Sequence, residues 1–122
     1  MNEPEGEILD RVVVDELVAS VGGDRAFVVH LVETFVADSA GQIDAVEAAV
    51  DGDDAARLVR PAHTLKSSSA TVGATRLASR ARMLEVAGRS GRIDDEARSV
   101  ASTLRADWQT AVAALRAWTA EE

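Results

Sequence analysis

The sequence predicts an all-α fold: an antiparallel four-helix bundle with an additional short N-terminal helix. Three observations carry that prediction. Apolar residues recur in steps of three and four through five segments, the spacing of one helical face. Glycine-bearing breaks at Gly22-Gly23, Gly52, Gly73 and Gly88–Gly91 separate the segments, and short connections make successive helices antiparallel. Ala, Val and Leu supply most of the apolar content while aromatics make up 3%, a mix that favours close-packed helices over a sheet.

Each element follows from local pattern. Residues 1–7 read as a disordered lead-in to a single domain spanning 1–122. Leu9, Val13, Leu17 and Val21 mark a first helix over 8–21; the valines at 12–14 have no second strand to pair with. Asp24 is a suitable cap for a second helix over 25–51, with Val28, Leu31, Phe35, Ile43, Val46 and Val50 inward. A polar break is expected there at Asp38-Ser39, and Gly41 weakens its middle. Asp53 or Asp54 opens a third helix with Leu58, Ala62, Leu65, Ser69 and Val72 inward, kinked at Pro61 and ended by Gly73. A fourth runs over 74–87, followed by a loop at Gly88–Gly91. The last spans 94–117, with Val100, Leu104, Trp108, Val112 and Leu115 on one side. Trp108 and Trp118 read as packing residues and His30 as a surface residue.

Composition narrows the function. The absence of cysteine excludes disulfides, zinc-thiolate sites and thiol nucleophiles. The acidic start is unlike a secretory signal and no apolar run is long enough to span a bilayer, so no membrane partner and a cytoplasmic location are expected. A formal net charge of -8 argues against nucleic acid. Arginines gather between Arg76 and Arg92, and with acidic residues interspersed they read as a solvated helix face.

The chemistry concentrates at Arg60–Ala74. His63, Lys66 and Ser67 stand at i, i+3 and i+4, one face of a helix, with His63 one position off the inward stripe and so at its outward edge. An imidazole can attack phosphorus, and a neighbouring ammonium can balance the negative charge that arrives. Ser67, Ser68 and Ser69 leave room for a partner to reach the ring, and three serines inside a helix serve something other than helix propensity. There is no P-loop, dinucleotide turn, G-x-S-x-G elbow or H-E-x-x-H, and His63 has no acidic or histidine partner at i+3 or i+4 to complete a helical metal site. The nucleotide- and magnesium-holding parts of a phosphotransferase are missing, so the chain is expected to be a carrier, not an enzyme, without a cofactor of its own.

Ala62-His-Thr-Leu-Lys-Ser-Ser-Ser-Ala-Thr-Val-Gly-Ala74 resembles the signature of histidine-containing phosphotransfer (HPt) domains, A-H-x-L-K-G-S-S-x-x-x-G-A. The similarity extends to Gly22–Phe27, Gly52-Asp53, Leu84-Glu85 and Gly88-Arg89, in order along the chain. The resemblance implies that His63 accepts a phosphoryl group from the aspartate of a response-regulator receiver domain and passes it to another receiver in a His-Asp phosphorelay. It implies that Lys66 steadies the phosphoryl oxygens, that Ser68 donates a further hydrogen bond, and that Mg2+ comes with the receiver. Glu85, on the neighbouring helix, could take the Nδ1 proton of His63; the alternative is a solvent-facing glutamate. Ser67 departs from the family's glycine and narrows access to the ring. Val13, Leu17 and Leu31, with Thr64 beside the histidine, are candidates for docking a receiver or a hybrid histidine kinase; the alternative for the three apolar residues is core packing. A monomer is expected. The competing function is a helical adaptor that docks a receiver or kinase and regulates it without being phosphorylated.

Overall fold

A computed structural model describes residues 7–121, so all but the last residue of the lead-in expected at 1–7 lies outside the described residues. Glu7 is held in place, its carbonyl accepting the Arg76 amide at 2.8 Å. Five helices follow: α1 (Arg11–Ser20), α2 (Arg25–Asp51), α3 (Ala55–Thr71), α4 (Thr75–Ser90) and α5 (Asp95–Ala120). No strand occurs among the described residues, and the valine run lies within α1.

Aspartates start four of these helices. Asp10, Asp24, Asp54 and Asp94 each accept amide hydrogens from the first turn, satisfying donors that have no partner inside the helix. The cap at Asp10 explains why α1 begins later than its apolar spacing indicates. Helix α4 has no side-chain cap. Its start is set by Gly73, whose φ of +78° turns the chain while the Ala74 amide bonds the Ser69 carbonyl at 2.8 Å. Helix α3 continues through Pro61, which is buried.

Helix direction can be read from side-chain pairs. Between α2 and α5, Glu33 meets Arg116, Ser39 meets Trp108, and Glu47 meets Arg105. One number rises as the other falls, so the two helices are antiparallel. Between α3 and α4, Val59 lies against Gly88 and His63 against Glu85, again antiparallel. With α2 on α3 and α5, and α4 on α3 and α5, the four long helices close a ring. Ile43, Leu58, Leu65, Leu84 and Leu104 are fully buried at its centre. Helix α1 lies at the end where α3 turns into α4: the Asp10 amide donates to the Gly73 carbonyl at 2.8 Å, and Val14 is fully buried there.

Two expectations need correcting. Ser39 does not break the apolar stripe of α2. It is 1% exposed, its hydroxyl donates to the Phe35 carbonyl at 2.5 Å, and it accepts the Trp108 indole N–H at 2.7 Å. A small hydroxyl that satisfies its own helix is compatible with burial, whereas a longer polar group there would not be. Ser39→Ala leaves that indole donor without its acceptor and should cost about 1–2 kcal/mol, read as a lower denaturation midpoint at unchanged slope.

The other correction concerns Gly88–Gly91. Gly88, Arg89 and Ser90 are helical, and only Gly91, at φ +82°, ends α4. Gly88 serves close approach instead of a turn. A Cβ added there would stand 2.9 Å from Val59 Cγ2 and 3.0 Å from the Ala55 carbonyl oxygen.

Candidate functional site

Helix α3 buries Ala62 and Leu65 and leaves His63 between them at the edge of the bundle, with its side chain 52% exposed. The close approach at Gly88 brings α4 against this edge, and Glu85, less than one turn earlier, reaches beneath the imidazole. Its Oε2 lies 2.9 Å from His63 Nδ1, and its Oε1 lies 2.7 Å from Lys66 Nζ. Arg89 Nε and Nη2 donate to the same Oε2 at 3.0 and 2.8 Å. Glu85 itself is 5% exposed. Glu85 is thus not the solvent-facing glutamate that its helix position also allowed; it is buried against the imidazole.

The electrostatics follow from that arrangement. Lys66 first, then Arg89, hold the Glu85 carboxyl down at about 2; burial pushes the other way, and His63 adds a smaller lowering. At neutral pH the carboxylate can only accept. The short contact therefore requires the proton on Nδ1, and in the neutral ring this leaves the lone pair on Nε2. Because the folded state holds this carboxyl below its ordinary 4.5, its stabilisation is complete above pH 4.5 and is lost as pH falls from there towards 2. Glu85→Gln, which has no such proton to bind, should show a shallower fall in thermal midpoint than the wild type across that window.

The other anticipated residues are placed as follows. Ser67 is exposed on the outward face, one turn from His63, and Thr64 is exposed beside it. The Ser68 hydroxyl is turned into its own helix, donating to the carbonyls of Thr64 at 3.0 Å and Leu65 at 3.3 Å. Its donor is thus committed to the backbone instead of facing the imidazole. Val13, Leu17 and Leu31 are half-buried. Val13 packs at Gly73, ten residues along α3 from His63, or about 15 Å at the helical rise. His30 is exposed with a tilted ring contact to Phe27, and Trp118 is buried. Among the described residues no group of three or more acidic, histidine or cysteine side chains could hold a metal ion, and no helix is long and apolar enough to cross a membrane.

Arg89 is the site residue that sequence reasoning missed. Its signal was the i, i+4 spacing from Glu85, hidden by reading Gly88–Gly91 as a loop. The view of Arg76–Arg92 as cations interleaved with acids also fails. Glu85 is the acidic residue in that stretch, and it is buried, so no exposed carboxylate of the stretch offsets the arginines.

The model of the Hpt domain family matches residues 30–118, from the first turns of α2 almost to the end of α5. The crystal structure of histidine-containing phosphotransfer protein B (HptB) from Pseudomonas aeruginosa PAO1 has the same fold, with a TM-score of 0.79 at 24% identity, over 97% of this chain and 96% of that one. No curated protein matches by sequence. The family match takes in the whole of α3 and α4, with His63, Lys66, Glu85 and Arg89 inside it: this chain belongs to the Hpt domain family, the histidine-containing phosphotransfer domains of two-component signalling.

Proposed function

We propose that His63 is the phosphoacceptor of a His-Asp relay, taking a phosphoryl group from the aspartate of one receiver domain and giving it to another. The observation that carries this reading is the 2.9 Å contact from His63 Nδ1 to the buried Glu85 carboxylate. It fixes the ring and keeps Nε2 as the nucleophilic nitrogen. In the forward step the Nε2 lone pair forms the N–P bond while the P–O bond to the receiver aspartate breaks, and that carboxylate leaves with the bonding pair. The ring then carries a positive charge, and Glu85 stabilises it through the Nδ1 proton, which does not move. Attack by a second receiver's aspartate runs the same step backwards and restores the ring. Magnesium is the receiver's contribution.

Lys66 begins this cycle paired with Glu85. Arg89 makes two hydrogen bonds to the same carboxylate, so Lys66 can turn to the phosphoryl oxygens without leaving Glu85 unpaired. Lys66→Ala should slow transfer by on the order of tenfold to a hundredfold while the thermal midpoint moves by only a few degrees, because Arg89 still pairs the buried carboxylate once the ammonium is gone. Rapid-quench transfer kinetics beside a melting curve separate the two effects.

The deciding experiment incubates the protein with phosphorylated receiver domains of its source organism. The expected product carries acid-labile, base-stable phosphate, as a phosphohistidine does. Binding without any such label would identify an adaptor and end the carrier reading.

A further inference from the structure

The charge of this molecule is sharply divided. Residues 55–90, which are α3, α4 and the turn between them, contain seven lysines and arginines and one acidic residue, a net of +6. The whole chain is -8, so the remainder carries -14. The single carboxylate on the positive side is the buried Glu85. On the negative side the α2–α5 face is laced by Glu33–Arg116 and Asp44–Arg105–Glu47 pairs, which leave an excess of acid.

The positive charge is concentrated beside His63. Arg60 and Ser67 share the outward face of α3 with the imidazole. On α4, Arg82 and Arg89 stand three positions before and four after Glu85, so the two flank it on the outward side of the helix. Arg60, Arg82 and Arg92 are exposed and make no ion pair among the described residues. Between the arginines of α4 stands Val86, 59% exposed, on the lip of an open groove of about 590 Å³ between α4 and α5. Met83 and Val100 give that groove an apolar floor, and Arg82 and Arg92 lie on its rim. Its acidic lining is Asp94, whose carboxylate caps the Ala97 amide, and Glu96. An exposed valine between Arg82, which is unpaired, and Arg89, which is linked to the imidazole through Glu85, is the pattern of a contact surface rather than of a solvated helix face.

We propose that the α4 ridge of Arg82, Val86 and Arg89, continued by Arg92 and faced across His63 by Arg60 on α3, is the docking surface for a receiver domain whose acceptor aspartate is ringed by acidic side chains, and that it selects such receivers over others. The inference rests on the phosphoacceptor reading and names its partner more narrowly. Opposite charges steer the acidic receiver onto the α3–α4 face and turn the -14 remainder away from it, so the docked orientation brings the aspartate to Nε2. A receiver with a basic rim meets like charges and is rejected. This places docking on α4, away from the apolar residues of α1 and α2.

The test uses the whole chain and two magnesium-loaded receiver domains of the source organism, one with an acidic and one with a basic rim around its aspartate. Binding of each is titrated by calorimetry, and transfer is followed as a function of receiver concentration. The acidic receiver should bind at least about tenfold more tightly than the basic one at low salt, with the gap closing as salt is raised. Arg82→Glu with Arg92→Glu should raise its half-saturating concentration on the order of tenfold and leave the rate at saturation unchanged. Arg11→Glu, an equal charge change per residue at the α1 end, should leave both the half-saturating concentration and the rate at saturation unchanged. The inference is overturned if the basic receiver binds as well as the acidic one. It is equally overturned if the α4 reversals match Arg11→Glu in effect, or if Leu17→Ala weakens binding where the reversals do not. Binding that follows the α4 charges without any phosphate label would keep the docking surface and reject the carrier instead.

Discussion

His63→Gln is expected to take no phosphate from any receiver domain that labels the wild type, with its melting curve nearly unchanged. Glutamine carries an amide N–H that can replace the Nδ1 donor to Glu85, so the buried carboxylate keeps its three partners and the α3–α4 contact survives. What it cannot replace is Nε2, because the amide nitrogen has no free lone pair. Loss of label with retained fold therefore isolates the nucleophile from its scaffold. Ser67, Ser68, Thr64 and Thr71 provide hydroxyls nearby, and an equal label on the variant would mean that one of them, or a distant group, is the true acceptor. Radiolabel transfer with a melting curve on each protein decides between these outcomes.

The largest effect on stability is expected from Gly88→Val. A Cβ at this position already falls 2.9 Å from Val59 Cγ2, 3.0 Å from the Ala55 carbonyl oxygen and 3.2 Å from the Val59 amide nitrogen. Two of those three atoms are backbone, so no side-chain rotation relieves them, and the branched side chain adds further overlap. Helices α3 and α4 must separate. Overpacking of this kind costs about 3 kcal/mol, or a drop of roughly 10 °C in thermal midpoint for a domain of this size. Gly88→Ala should lose less, because alanine's better helix propensity returns about 1 kcal/mol. Separation also draws Glu85 away from His63, so the valine variant should accept phosphate more slowly even where it remains folded. A denaturation midpoint within experimental error of the wild type would show that the helices do not approach as closely as their contact indicates.

Much of the architecture could be read from short-range pattern. The bounds of α2, the aspartate at its start, the inward stripe of α3 and the outward placement of His63 each depend on residues within one or two helical turns. Side-chain direction on a helix is fixed by that spacing alone. The resemblance around His63 pointed to the family, and the family match over 30–118 bears that out.

The errors share one origin. Ser39 was expected to interrupt its stripe because it is polar, and its neighbour Trp108 lies 69 positions away. Gly88 was expected to end a helix because glycine often does, and the reason for glycine is the backbone of another helix. Arg89 was hidden by the same misreading.

From the sequence alone came the five helices, the inward stripes of α3 and α4, and a histidine and lysine held outward on the third. On α1 the buried residue is Val14, off the stripe of Leu9, Val13, Leu17 and Val21. The tertiary structure alone decided that Glu85 lies buried under that histidine between Lys66 and Arg89, and that the arginines of α4 form an exposed ridge beside it. Spacing along one chain fixes directions around a helix axis. The distance and register between two helices depend on the packing of their facing side chains, so the proton on Nδ1 is set by how closely α4 approaches α3.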